Sequence, residues 1–255
     1  MSRRMPHRPA PDDRASTDAR RRWLVALAAF AAPWSGAAWA RDTLRQARDV
    51  AGFRAIDLRG PFDLVVRPGA VDRVTVEAAA DVIDRIATRV EPGRDGVPTL
   101  VVAPAGTAPL QLRSAVRVEV EARRIDAVDA RGSGLVRIED LSVPALALRM
   151  AGSGDLRVHR VTTPALTLSL AGSGDAVADG SVQRLRLSVA GSAEVDARAL
   201  RADAVRVEIA GSGDVRVQAG RTLDVTIAGS GDVEYDGDPA LTTSILGSGR
   251  VRKRR

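Results

Sequence analysis

The sequence predicts an all-β chain wound as a right-handed parallel β-helix, with about 20 residues per rung and a β-rich N-terminal cap. Three observations predict it. Gly-Ser recurs at Gly132, Gly152, Gly172, Gly191, Gly211, Gly229 and Gly247 with nearly fixed spacing, and four copies extend to Ala-Gly-Ser-Gly-Asp. Apolar and polar residues alternate on both sides of each copy. The inward-facing residues are largely Val, Leu and Ile, which suit a pleated, buried surface.

Each repeat reads as two short strands joined at the Gly-Ser corner. Two residues before the glycine stand Ala130, Met150, Leu170, Val189, Ile209, Ile227 and Ile245; four before stand Val128, Leu148, Leu168, Leu187, Val207, Val225 and Thr243. A period of two sends both sets inward and the residues between them, such as Arg149, Ser169 and Glu208, to water. So short a strand cannot bury its own apolar face, and stacking rungs pairs the edges while enclosing the aliphatics. Leucine-rich repeats would show a different consensus, and propeller blades need about 40 residues.

Ahead of the repeats, residues 41–124 read as the cap and the first strands of the helix, and residues 125–255 as the repeat region with a basic tail. Ile56 and Leu58, then Phe62, Leu64 and Val66, then Val74 and Val76, and finally residues 100–102 are strand-like. Val82, Ile83, Ile86 and Val90 fall at helical spacing, so a short helix is expected over 78–90.

Residues 1–40 read as an export signal. Arg20, Arg21 and Arg22 precede an apolar run from Trp23 that Pro33 ends, and Ala38-Trp39-Ala40 matches a signal cleavage pattern. The run is too short for a membrane span, and Arg21-Arg22 before Trp23 resembles a twin-arginine signal, with the general secretory route the alternative. The expected location is the periplasm or cell envelope.

Composition narrows the functional classes. The chain has no cysteine, so it forms no disulfide and no thiolate metal site. Its formal charge is +6, but beyond residue 40 there are 31 basic against 29 acidic residues, and five of those basic groups lie in 250–255. The body is therefore slightly acidic, which argues against nucleic acid as partner. Phe53, Phe62 and Tyr235 are the only aromatics after the leader. Stacking platforms for bases or sugars are accordingly scarce.

The corners carry the only repeated chemistry. Two glycines around a serine permit a tight turn, and the serines would form a ladder of hydroxyls. Three residues after the first glycine of the corner stand Asp155, Asp175, Glu194, Asp214 and Asp232. They read chiefly as turn chemistry on a solvated edge and alternatively as a cation strip, although the nine-residue calcium repeat is missing. His159 is the only histidine after the leader and takes an outward position beside Arg157 and Arg160. No nucleophile elbow, zinc spacing or phosphate loop occurs. No catalytic residue and no cofactor site are assigned.

The repeated Ala-Gly-Ser-Gly-Asp, residues 233–239 followed by 245–249, and the opening Phe53-x-x-Ile56 with Gly60 and Val65 resemble the putative auto-transporter adhesin head GIN domain family. The resemblance spans about residues 50–253 and implies an exported β-helical domain. No barrel-like alternation follows the repeats, so export by an autotransporter barrel is not expected. The expected role is a non-enzymatic adhesion-like or scaffold module whose partner is an envelope protein or a polysaccharide. A polysaccharide-active enzyme and a cation-stabilised module are the rivals. The basic tail 250–255 is read first as a guard against end-to-end stacking and second as a contact for anionic lipid or polysaccharide.

Overall fold

The computed structural model describes residues 43–106, 112 and 114–254. The export signal read in residues 1–40 lies outside the described residues. The rest is a parallel β-solenoid. Alternating sequences pair rung on rung, as they do along β10 (Leu146–Gly152), β11 (Leu156–Gly172), β12 (Ala176–Gly191), β13 (Glu194–Gly211) and β14 (Asp214–Gly229). From β11 to β14 each strand bends at an outer corner, where the register shifts, and ends at the next Gly-Ser.

Chain order and rung order differ at the N-terminal end. The rung formed by β2 (Ala55–Arg59) and β3 (Phe62–Pro68) pairs in parallel with β8 (Ala127–Gly132) and β9 (Val136–Glu139) on one side. On its other side lies a rung made later in the chain, β6 (Pro98–Pro104) and β7 (Val116–Ala122). Antiparallel strands then cover that end. β5 (Ile86–Pro92) pairs with β6, β4 (Arg73–Ala79) with β7, and β1 (Thr43–Arg48) with β4.

The helix expected over 78–90 does not form. β4 runs to Ala79, a single 3₁₀ turn spans Ile83–Arg85, and the rest is strand β5. Val82, Ile83 and Ile86 are buried by that one turn, while the sheet edge offers residues 86–92 a ladder of partners that a helix would leave unpaired.

The interior is a set of aliphatic files. Leu100, Ile56, Val128, Leu148, Leu168, Leu187, Val207 and Val225 are successive register partners, none more than 2% exposed. A buried side chain of this size stabilises by about 1.5–3 kcal/mol through transfer from water. The files end at β16 (Ala240–Gly247), where Thr243 is exposed and Ile245 is 42% exposed, because the last rung lacks a neighbour among the described residues. The inward positions read in the final repeat are thus geometrically inward but wet.

Candidate functional site

At each corner the first glycine adopts positive φ, between 123° and 146° from Gly132 to Gly247. Its neighbour one rung back is close. A Cβ on Gly172 would lie 1.9 Å from the Gly152 carbonyl oxygen, so the corner requires glycine for space as well as conformation. The serines act through their backbone. Ser173 N–H donates to Gly152 O at 3.1 Å and Ser212 N–H to Gly191 O at 2.9 Å, so amides, rather than a ladder of hydroxyls, carry the rung-to-rung bonds.

The carboxylates beyond the corner cap the same column. Asp155 Oδ1 accepts from Asp175 N at 3.2 Å, Asp175 Oδ1 from Glu194 N at 3.3 Å, Asp214 Oδ1 from Asp232 N at 3.2 Å, and Asp232 Oδ1 from Arg250 N at 3.1 Å. Glu194 turns aside to Arg216, whose guanidinium it holds more firmly protonated. The column begins earlier than the repeats suggest. Asp63 Oδ1 accepts from Leu135 N at 2.9 Å, and Gly60, at φ 131°, stands under Gly132. Among the described residues no three His, Asp or Glu side chains converge as a metal set.

His159 is locked into a charge lattice at the second corner. Its Nδ1 lies 2.6 Å from Asp179 Oδ2, its Nε2 faces Arg160, and Asp179 Oδ1 accepts from Arg160 N at 2.8 Å. Arg160 also forks onto Asp140, holding that carboxyl below the usual carboxylate value through the shared hydrogen bond. The imidazole is therefore consumed by neighbouring side chains on both nitrogens.

The face that follows the corners continues this pattern. Asp196, Arg216, Glu234 and Arg252 are register partners of alternating sign. Arg198 hydrogen-bonds Asp196 and depresses its carboxyl, with a further bond from its own amide. The basic tail joins the lattice as β17 (Arg250–Lys253) and Arg254. Arg252 Nε donates to Glu234 at 2.8 Å, Arg254 Nε to Asp236 at 2.9 Å, and Lys253 pairs with Asp238.

The face that precedes the corners is different. Its outward columns carry charges too, Asp129, Arg149 and Glu208 in one and Arg186, Arg206 and Asp224 in the next, but set them around short side chains, Ser169 and Ser188 and then Ala151, Ala171, Ala190 and Ala210. Cavities indent it in two places. A depression of about 270 Å³ lies among Thr167, Arg184, Arg186 and Arg206. Nearer the N-terminal end, a cavity of about 360 Å³ meets another of about 270 Å³, and the two share Arg94, Asp129, Arg131 and Arg149. The turn at Arg94–Gly96, between β5 and β6, rims both through Arg94. No single repeat contains these residues, so spacing alone could not have found the groove.

The model of a family described as putative auto-transporter adhesin, head GIN domain, matches residues 52–239. A crystal structure of a putative adhesin from Bacteroides fragilis is 21% identical, with a TM-score of 0.77 over 84% of this chain and 98% of that one. A structure described as a putative lipid binding protein from Parabacteroides distasonis is 25% identical, with a TM-score of 0.69 over 84% of this chain and 97% of that one. A putative adhesin from Parabacteroides merdae gives 18% identity and a TM-score of 0.63, over 84% and 96%. No curated protein is similar in sequence. With most of its length matched in this way, the chain belongs to the putative auto-transporter adhesin, head GIN domain family.

Proposed function

We propose that this protein is an exported, non-enzymatic adhesion-like module of the cell envelope that lays an extended partner along the flat face preceding its corners. The observation that carries this reading is the contrast between the two faces. One carries a continuous lattice of paired charges such as Arg216 with Glu194 and Arg252 with Glu234, while on the other the pairs Arg149 with Asp129 and Arg206 with Glu208 flank a strip of Ala and Ser in register and arginine-lined grooves. A flat, regular lattice suits a long repetitive ligand better than a small molecule, which would need a deep apolar pocket.

The family description and the adhesin relatives support an adhesion-like role. The relative described as lipid binding supports binding as the common theme, with a ligand of another class. Against catalysis stand the engagement of His159 on both ring nitrogens and the use of the corner carboxylates as backbone caps. The test is to incubate the protein with acidic and neutral polysaccharides and with anionic vesicles, measuring binding and chain length together. Binding with chains unshortened is expected; cleavage would overturn the reading.

A further inference from the structure

We propose that the groove near the N-terminal end of this face is a binding site for an acidic polysaccharide, with its arginines engaging the carboxylates of a uronate chain. The inference rests on the reading of this face as the adhesive one and names the chemistry it takes.

The site is built on Asp57. This residue is only 8% exposed, and it lines the larger cavity. Its Oδ2 accepts from Arg59 Nε at 2.9 Å and from a terminal nitrogen of the same guanidinium at 2.6 Å. Its Oδ1 is buried without a hydrogen bond, and Arg131 stops 3.6 Å short of it. A buried carboxylate between two guanidiniums orients both while leaving their remaining N–H groups free to donate. Asp57 is thus a positioning residue beneath Arg59 and Arg131.

Two further guanidiniums complete the groove. Arg149 reaches Asp129 only at 3.4 Å, and the exposed Arg94 projects from the turn above. Asp126, on the same wall, is already occupied by Arg54 and Arg124. Asp95 also lines the cavity, so with Asp126 set aside Arg59, Arg94, Arg131 and Arg149 stand against Asp57, Asp95 and Asp129, which leaves one positive charge in excess for an anion to complement.

The shape selects a polymer. Asp57, Asp129, Arg149, Ser169 and Ser188 form one outward column across successive rungs, roughly 19 Å long at strand spacing. Beside it run Ala151, Ala171 and Ala190. One rung is close to the length of one pyranose unit, so arginines would meet the anionic groups and the Ser and Ala strip would carry the following units. The apolar part of the groove, Met150, Leu170 and neighbouring alanines, is confined to the cavity of about 270 Å³, less than the roughly 300 Å³ at which ligand pockets begin, so it would hold little of an acyl chain. A peptide would find no free backbone either, since the ladders to both sides have taken it.

Affinity electrophoresis and calorimetry of the full chain with polygalacturonate test this, with the methyl-esterified polymer and phosphatidylglycerol vesicles as comparators. We expect binding to polygalacturonate that weakens with salt and drops at least tenfold on esterification. Arg131→Glu with Arg149→Glu should lower it at least tenfold, Arg131→Lys should do so less, and Arg157→Glu, exposed on the opposite face, should leave it unchanged. Circular dichroism melts confirm that each variant is folded. Equal binding by the Arg131→Glu, Arg149→Glu double variant would overturn this site while leaving an adhesive face in place, and loss on Arg157→Glu instead would overturn both. Binding to vesicles alone would overturn the polysaccharide class. Failure to bind any of the three probes would overturn the site, and shortened polymer would overturn both readings.

Discussion

Asp155 Oδ1 accepts the backbone amide of Asp175 at 3.2 Å, so a carboxylate from one rung closes the corner of the next. The acids meet at rung spacing, where two like charges in water repel by about 1 kcal/mol, and each amide offsets part of that cost. Asp175→Asn keeps an acceptor and should melt within about 0.5 kcal/mol of the parent, whereas Asp175→Ala should lose about 1 kcal/mol. Calcium added after chelation should leave the melting temperature of the parent unchanged. A rise of several degrees would show that the carboxylates hold an ion.

Gly172 at φ 138° faces the Gly152 carbonyl, 1.9 Å from where a Cβ would sit. Gly172→Ala should therefore cost about 3 kcal/mol or more in urea denaturation. Gly220 is the control. Its nearest neighbour to an added Cβ is 3.5 Å away, so Gly220→Ala should change stability by less than about 1 kcal/mol.

Leu187 and Thr243 occupy the same inward file, yet the first is fully buried and the second exposed. Leu187→Ala should cost about 2–5 kcal/mol and Thr243→Ala less than about 0.5 kcal/mol. Similar losses at both positions would contradict an interior that ends in water at β16.

Arg198 lowers the folded-state pKa of Asp196 below its ordinary value of 3.8, first through their side-chain hydrogen bond. That stabilisation is present above the unfolded value and is lost as pH falls through the folded one. The stability gap between parent and Asp196→Asn should thus be constant from pH 7 to about pH 5 and close on acidification below the unfolded value. The pair is partly exposed, so the gap should be under about 1 kcal/mol. Melts at pH 7, 5 and 3 check this.

The corners and files of the repeat region were legible because Gly152, Gly172 and Gly191 recur with the alternation around them, and backbone stacking forces the same residue types on every rung. The first strands were legible too, at Ile56 to Val66, but not their place in the columns. Gly60 and Asp63 belong to the same columns as Gly132 and Leu135, but the chain detours through β4 to β7 before returning, so no fixed period connects them. The Gly60-x-x-Asp63 spacing matches Gly152-x-x-Asp155 and was the available signal. The helical spacing of Val82, Ile83 and Ile86 misled because a single 3₁₀ turn satisfies it. The groove was hidden for the same reason as the rungs, since Asp57, Arg94 and Arg131 become neighbours only through that detour.

The placement of β2 beside β8 underlies both the inner files and the groove, and a chain without cysteine allows it to be tested by cross-linking. Ala55 pairs with Ala127, and Ala127 with Ala147. Adjacent rungs place Cα atoms about 4.8 Å apart, within disulfide reach, and alternate rungs about 10 Å apart, beyond it. Under mild oxidation Ala55→Cys with Ala127→Cys should form a disulfide while Ala55→Cys with Ala147→Cys should not; the reverse, or no bond in the first pair, would contradict this rung order.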